Sequence, residues 1–153
     1  MLENYEINSY TIAITYVDST TSKVYEYDKE FLVHKSTIEI IDSSCKYFGS
    51  SYQGRFEGTK SLTGYNYKSP IIVEESNKMI FFPLSSPRFE NCNWISLNHI
   101  KDHFKIGFKT IVLFRNMKEI EFDISINSFE NQLLRSTRLK VLLEDNLKYL
   151  KIG

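Results

Sequence analysis

Apolar and polar positions along this chain repeat in two different periods. Thr11 to Val17 alternates, with Ile12, Ile14 and Tyr16 on one side, which is the period of a strand. Val24 to Tyr27 and Phe31 to His34 predict two more strands joined by an Asp28–Lys29 turn, so the N-terminal third reads as a small meander. From Ile38 the period lengthens: Ile38, Ile41, Cys45 and Phe48 fall at helical spacing. Ser36 and Glu39 form a capping box, each side chain satisfying a free backbone N–H of the helix start. Gly49 is placed to stop this helix in the left-handed conformation. Ser50 with Gln53 repeats the capping-box pattern, predicting a second helix from about Ser51 to Thr63 that Gly64 closes.

Beyond the helix pair the strand period returns. Pro70 to Val73 and Met79 to Phe82 are short apolar runs separated by a Ser76–Asn77 turn, as in a buried hairpin. Leu84 to Asn93, with Pro87 and several serines and asparagines, is a loop from which Arg88 projects. Cys92 to Ile100 alternates again, with Trp94 opposed to Ile95 and Leu97, and Phe108 to Phe114 is strongly β-forming. In Glu119 to Ile124, the residues Ile120, Phe122 and Ile124 point inward and the acids outward, and Arg115 to Lys118 make a basic hairpin tip before them. Asn127 with Glu130 is a further cap pair. It predicts a long helix from about Ser128 to Leu150, whose apolar face uses Phe129, Leu133, Leu139, Leu143, Leu147 and Leu150. No repeat, low-complexity stretch or linker divides the chain. One domain over residues 1–153 is expected, of α+β class: a mostly antiparallel sheet, a central helix pair and a long C-terminal helix.

Composition narrows the reading. At 153 residues the chain can bury a sizeable core, and 21 Tyr and Phe residues favour packed sheets. The N-terminus has no basic and apolar leader pattern, and no apolar run approaches the roughly 20 residues of a membrane span, so a cytoplasmic protein without a membrane partner is expected. Cys45 and Cys92 lack a C-x-x-C pairing and are expected to be free thiols. Net charge is zero, which argues against simple electrostatic coating of DNA, so any basic surface must be patterned. Two stretches are. Ser44 to Ser69 carries Lys46, Arg55, Lys60 and Lys68 against Glu57, with six tyrosines and phenylalanines interleaved. Gln132 to Gly153 carries Arg135, Arg138, Lys140, Lys148 and Lys151 against Glu144 and Asp145.

The second helix also holds Gly54 and Gly58 four apart, hence on one face, and each costs about 1 kcal/mol relative to Ala. That expense suggests that something approaches the backbone there, with Gln53, Arg55 and Lys60 beside it. The catalytic alternatives fail on their chemistry. Gly49 to Phe56 is one step from a phosphate-binding loop, but Arg55 and Phe56 stand where Lys and Ser or Thr must hold phosphate and Mg²⁺. A nucleophile elbow fails because Gln53 occupies the place of its last glycine. His99 and His103 are four apart without a third ligand, in a stretch that reads as a strand. No enzymatic activity, cofactor or metal is expected.

The blocks IDSSCKYFGSSYQGR, EGTK, SPIIV, FFPLSSPR, CNWIS and NSFENQLLR, in order from about residue 36 to residue 138, resemble the competence transcription factor (ComK) family. The resemblance implies a cytoplasmic DNA-binding activator of DNA-uptake genes. Such a protein recognises paired A·T-rich boxes of double-stranded DNA, largely through the minor groove, as a self-associated dimer or higher homo-oligomer. Combined with the charge pattern, it assigns Gly54 and Gly58 to close approach at the groove wall. Arg55 and Lys60 would neutralise phosphates or enter a narrow A·T groove. Lys46, Ser51, Tyr52, Arg88 and the Arg135/Arg138 pair would fix register on the backbone. A proteolytic adaptor is a further implied partner. Longer family members carry a C-terminal extension past the matched region, whereas this chain stops at Lys151-Ile-Gly, so a tail recruiting such partners is expected to be missing. The alternative is a protein–protein interaction module with little DNA affinity of its own.

Overall fold

The computed structural model describes residues 1–152, with side chains described as far as Lys148. A six-stranded antiparallel sheet runs through the molecule in the order β3-β2-β1-β6-β5-β4. Its strands are β1 (Thr11–Asp18), β2 (Thr21–Glu26), β3 (Glu30–Val33), β4 (Ile71–Glu74), β5 (Met79–Pro83) and β6 (Trp94–Ser96). A second sheet has three antiparallel strands in the order of the chain: β7 (Ile100–Ile106), β8 (Lys109–Phe114) and β9 (Glu119–Phe122). The helices are α1 (Thr37–Tyr47), α2 (Tyr52–Thr63) and α3 (Ile126–Ile152). The α+β class, the N-terminal meander, the helix pair and the long final helix are as the pattern predicts.

The larger sheet is buried on both faces, because successive residues of its central strands feed different cores. Ile71, Val73, Phe81 and Trp94 pack with Ile40, Ile41 and Cys45 under α1. Phe82 and Ile95 pack with Val112, Phe114, Phe122 and Phe129, so the smaller sheet and the start of α3 cover the opposite face. Ile72 and Ile80 meet Leu139 and Leu143 farther along α3. This two-sided burial is why β4 and β5 read as continuous apolar runs instead of alternating ones.

Local rules hold closely at α1. Ser36 and Glu39 form the reciprocal capping box, and Gly49 sits at φ +90° just past the helix end. Gly64 closes α2 at φ +80°. Several boundaries differ from expectation, each for a physical reason. The cap of α2 is Ser51 alone, which accepts from Gly54 N at 2.9 Å; the N–H of Ser50 is already taken by Cys45 O at 3.0 Å, closing α1. Gln53 bonds Glu57 instead of closing a box. α3 starts at Ile126, with Ser125 Oγ accepting from Ser128 N, because Glu130 is drawn to His103 at 3.2 Å and does not form a cap pair with Asn127. β7 was not expected as a strand: six of its seven residues are partly or fully exposed, so its pattern carries no apolar alternation. Phe108, expected to start the next strand, lies in the turn between β7 and β8. Leu133 and Leu147 are half-buried on the α3 face, while Gln132 and Ser136 are fully covered there; Leu150 lies outside the described side chains.

His99 and His103 do not converge. His99 Nε2 lies 2.8 Å from Ser9 O, and burial lowers its pKa from the ordinary value. Cys45 and Cys92 are both buried and free. Burial pushes the Cys45 thiol up to about 11, and raises that of Cys92 as well. Both therefore stay protonated and shielded at neutral pH, since the thiolate is the reactive form. Native protein mixed with an aromatic disulfide at about pH 8 should label only as fast as it unfolds, whereas urea-unfolded chains label both thiols at once. Rapid native labelling of either would contradict the burial.

Candidate nucleic-acid interface

The α1–α2 junction is rigid because one carboxylate serves both helices. Asp42 accepts from Lys46 Nζ at 2.9 Å and from the backbone N of Tyr52 at 2.9 Å. The Lys46 hydrogen bond and then the Tyr52 N–H hold the Asp42 carboxyl below its ordinary pKa. Tyr52 in turn stands edge-on against the buried Trp94, ring centroids 6.0 Å apart. Ser51 and Tyr52 thus position the start of α2, and Lys46 remains exposed beside them.

One flank of α2 faces a cleft of about 390 Å³. Tyr52, Gln53 and Phe56 of α2 line it on one side and Ile38 of α1 at its base. Asn66, Tyr67 and Lys68 come from the loop after α2, and Ser86, Pro87 and Arg88 from the loop after β5. Two cations, two amides and three aromatic rings therefore meet around one opening, and no carboxylate lines it. Lys60 follows Phe56 by one turn, on the same flank of the helix as Gln53, and is exposed. Among the described residues, none of Lys60, Lys68, Arg88 and Arg138 takes part in an ion pair. Lys68 and Arg88 thus meet at one cleft without an ionic partner, while Glu57, which accepts from Gln53 at 3.3 Å, adds an acid to the same flank of α2.

The Tyr65–Lys68 wall of the cleft is held by α3. Gln132, buried at 4% exposure, donates its amide to Lys68 O at 2.9 Å and to Pro83 O at 2.8 Å. Arg135 donates to Lys68 O at 3.1 Å and Tyr67 O at 2.6 Å, and its guanidinium lies 4.5 Å from the centre of the Tyr65 ring. Burial lowers its pKa from the ordinary arginine value, yet the group is still a cation near neutrality. Fixing the carbonyl of Lys68, whose φ is +47°, leaves its ammonium over the Tyr67 ring, 5.3 Å from the centroid. Arg135 is thus a clamp for the loop, while Arg138, one turn on, is exposed.

Arg55 lies on the other flank of α2, about 140° from Lys60 at roughly 100° per residue. It pairs with Glu75 at 3.0 Å, its side chain only 16% exposed, and Nε is buried without a partner. Arg55 and Lys60 therefore do not share one face, and the guanidinium is engaged within the protein. Gly54 and Gly58 are exposed between the two flanks. They edge a second groove, of about 360 Å³, that Arg55, Glu75, Leu62, Leu143 and Leu147 also line. A side chain at Gly58 would meet open space, whereas one at Gly54 would come within 2.7 Å of Ser50 Oγ. That hydroxyl is the end of a flexible side chain and not the cap, which is Ser51, 3.3 Å from the same point, so a side chain at Gly54 requires only a small shift and Gly58 is the fully bare position. Sequence patterning missed Lys68, Tyr67 and Phe56 as partners of Arg88; the two loops are joined through Gln132, which donates to both Lys68 O and Pro83 O, and no local pattern signals that link.

The ComK protein family model matches residues 2–148. The chain belongs to the ComK family. A relative, the competence transcription factor of Bacillus subtilis (strain 168), is 40% identical over 152 residues, covering 97% of this chain and 79% of its own. No solved structure matches the chain. Among the ComK-like blocks, SSYQGR supplies the cap and first turn of α2, SSPR supplies Ser86 to Arg88 of the cleft, and NSFENQLLR supplies the Gln132–Arg135 clamp. The same blocks also build the core: SPIIV, FFP and CNWIS supply the buried strands β4, β5 and β6.

Proposed function

We propose that this protein is a competence transcription factor: a sequence-specific, DNA-binding activator of DNA-uptake genes that binds A·T-rich boxes through the minor groove as a self-associated dimer. The observation that supports this reading is the carboxylate-free cleft, in which Lys68 and Arg88 stand among Tyr52, Phe56 and Tyr67. A·T tracts have a narrow minor groove whose negative potential attracts inserted Lys and Arg side chains. In this reading Arg88 and Lys68 enter the groove or its rim. Lys60 and Arg138 neutralise flanking phosphates, and Lys46 does so on release from Asp42. Gly58, about 160° around α2 from Lys60, edges the other groove and is outside this contact. Ser51 and Tyr52 hold the start of α2 at the edge of the cleft, and the backbone N–H of Gly54 donates to the Ser51 cap. Arg135 acts through the loop it clamps, and Arg55 contacts DNA only on release from Glu75. The protein works at the nucleoid, in the cytoplasm, and a proteolytic adaptor is a further partner in this reading.

The second reading is a protein-interaction module. Zero net charge favours it, as do Leu134 and Val141, seven apart on the outer face of α3 and exposed by 70% and 50%. A titration of A·T-rich duplex at several salt concentrations separates the two readings. Log affinity should fall steeply with log salt, by about 0.9 per phosphate neutralised. Lys60→Ala should reduce that slope by about one contact, while Arg55→Ala should leave it unchanged and act on stability. Absence of binding at low salt overturns the DNA-binding reading and supports the interaction module.

A further inference from the structure

The β7–β8 ribbon ends in a two-residue turn, Gly107-Phe108, between the paired residues Ile106 and Lys109. Gly107 has φ +59°, the conformation that the first central position of a type II′ turn requires. Phe108 follows it and is 96% exposed, the most exposed large apolar side chain among the described residues. Nothing in the turn requires an aromatic ring there: polar residues serve that position equally well. Ile106 beside it is half exposed, and Lys105 and Lys109 flank the tip. Lys109 lies 3.7 Å from Glu121, a pair open to solvent that contributes little, and Lys105 has no ionic partner among the described residues. The tip thus presents an apolar point between two cations.

Its position is also informative. The loop that supplies Arg88 to the cleft turns its other side, through Leu84 and Ser85, toward a depression shared with Phe122 and Asp123. Phe122 pairs with Thr110, two residues from Phe108. The ribbon thus pairs with the strand that borders this depression.

We propose that the ribbon tip is a second DNA contact, in which Phe108 wedges into a base step of the groove while Lys105 and Lys109 meet phosphates on either side. Apolar wedges between base steps are a recurring device of proteins that bind the minor groove. Pyrimidine–purine steps such as TA unstack most easily, so the A·T-rich sequence is the substrate on which a wedge works best. This inference rests on the DNA-binding reading above.

The experiment places 2-aminopurine at TA steps of an A·T-rich duplex and follows its fluorescence as native protein is added. Unstacking by the native tip should raise the fluorescence severalfold. Phe108→Ser should abolish the rise while weakening binding by about tenfold or less, and Phe108→Trp should retain it. Because Phe108 packs against nothing, both variants should melt as the native protein does. The inference is overturned if native protein binds the duplex yet Phe108→Ser gives the same fluorescence and affinity. A change confined to the sedimentation coefficient of Phe108→Ser would also overturn it, by making the tip a protein contact. Failure of the native protein to bind DNA at all would overturn this inference and the preceding reading together.

Discussion

Replacing Lys68 and Arg88 together by glutamine should weaken binding of A·T-rich duplex by roughly one to two orders of magnitude at about 0.1 M salt, with the salt slope reduced by about 1.8. The size follows from geometry. Both cations line one cleft, neither has an ionic partner, and no carboxylate stands there to compensate them. Their charge is therefore available to an incoming phosphate without first breaking a bond within the protein. Stability should hardly change, since surface substitutions away from caps and cores fall within about 0.5 kcal/mol. The control is Lys29→Gln, an exposed lysine in the turn between β2 and β3, at the sheet edge opposite β4. It should bind like the native protein. Equal loss in the control would mean that diffuse charge, and not the cleft, sets affinity.

Gln132→Leu should destabilise the protein by about 1–3 kcal/mol, because the leucine can donate to neither carbonyl and leaves Pro83 O without its amide partner. For a chain of this size that corresponds to a fall in melting temperature of roughly 3–10 °C. The variant should also lose DNA affinity under conditions in which it remains folded. Arg135 loses the acceptor of Gln132 and the Tyr65–Lys68 loop loses one of its two clamps. Thermal melts followed by circular dichroism read the first effect, and titration at about 15 °C the second. A variant that melts like the native protein would show that the buried amide is dispensable and that Arg135 alone holds the wall.

The order of strands and helices was legible wherever burial is one-sided or a cap is local. The outward acids of β9, the Ser36–Glu39 box and the left-handed Gly49 and Gly64 are all set by residues within four positions of one another. β7 was not legible because five of its seven residues are exposed and its one half-covered position is the polar His103, packed against Phe129, so the side-chain period that marks a strand is missing. On α3, polar Gln132 and Ser136 occupy the covered face; a hydrophobic stripe could not reveal an amide whose partners are 49 and 64 residues away. The candidate surface was legible as a segment and not as a geometry. Arg88 and Tyr52 line the cleft, and Lys60 is exposed one turn beyond Phe56. Arg55 is not free beside Lys60: five positions along one helix put it on the other flank, where it is engaged by Glu75, 20 residues on, and Arg135 is held by backbone carbonyls of the loop that follows α2. Such long-range partners decide which of several arginines is available, and no periodicity records them.

Lysine acetylation of the native protein, read by mass spectrometry with and without bound A·T-rich duplex, tests the proposed surface most directly. The account predicts that duplex protects Lys60 and Lys68 while Lys29 reacts as before. Equal modification of Lys60 and Lys68 in the presence of saturating duplex would contradict it.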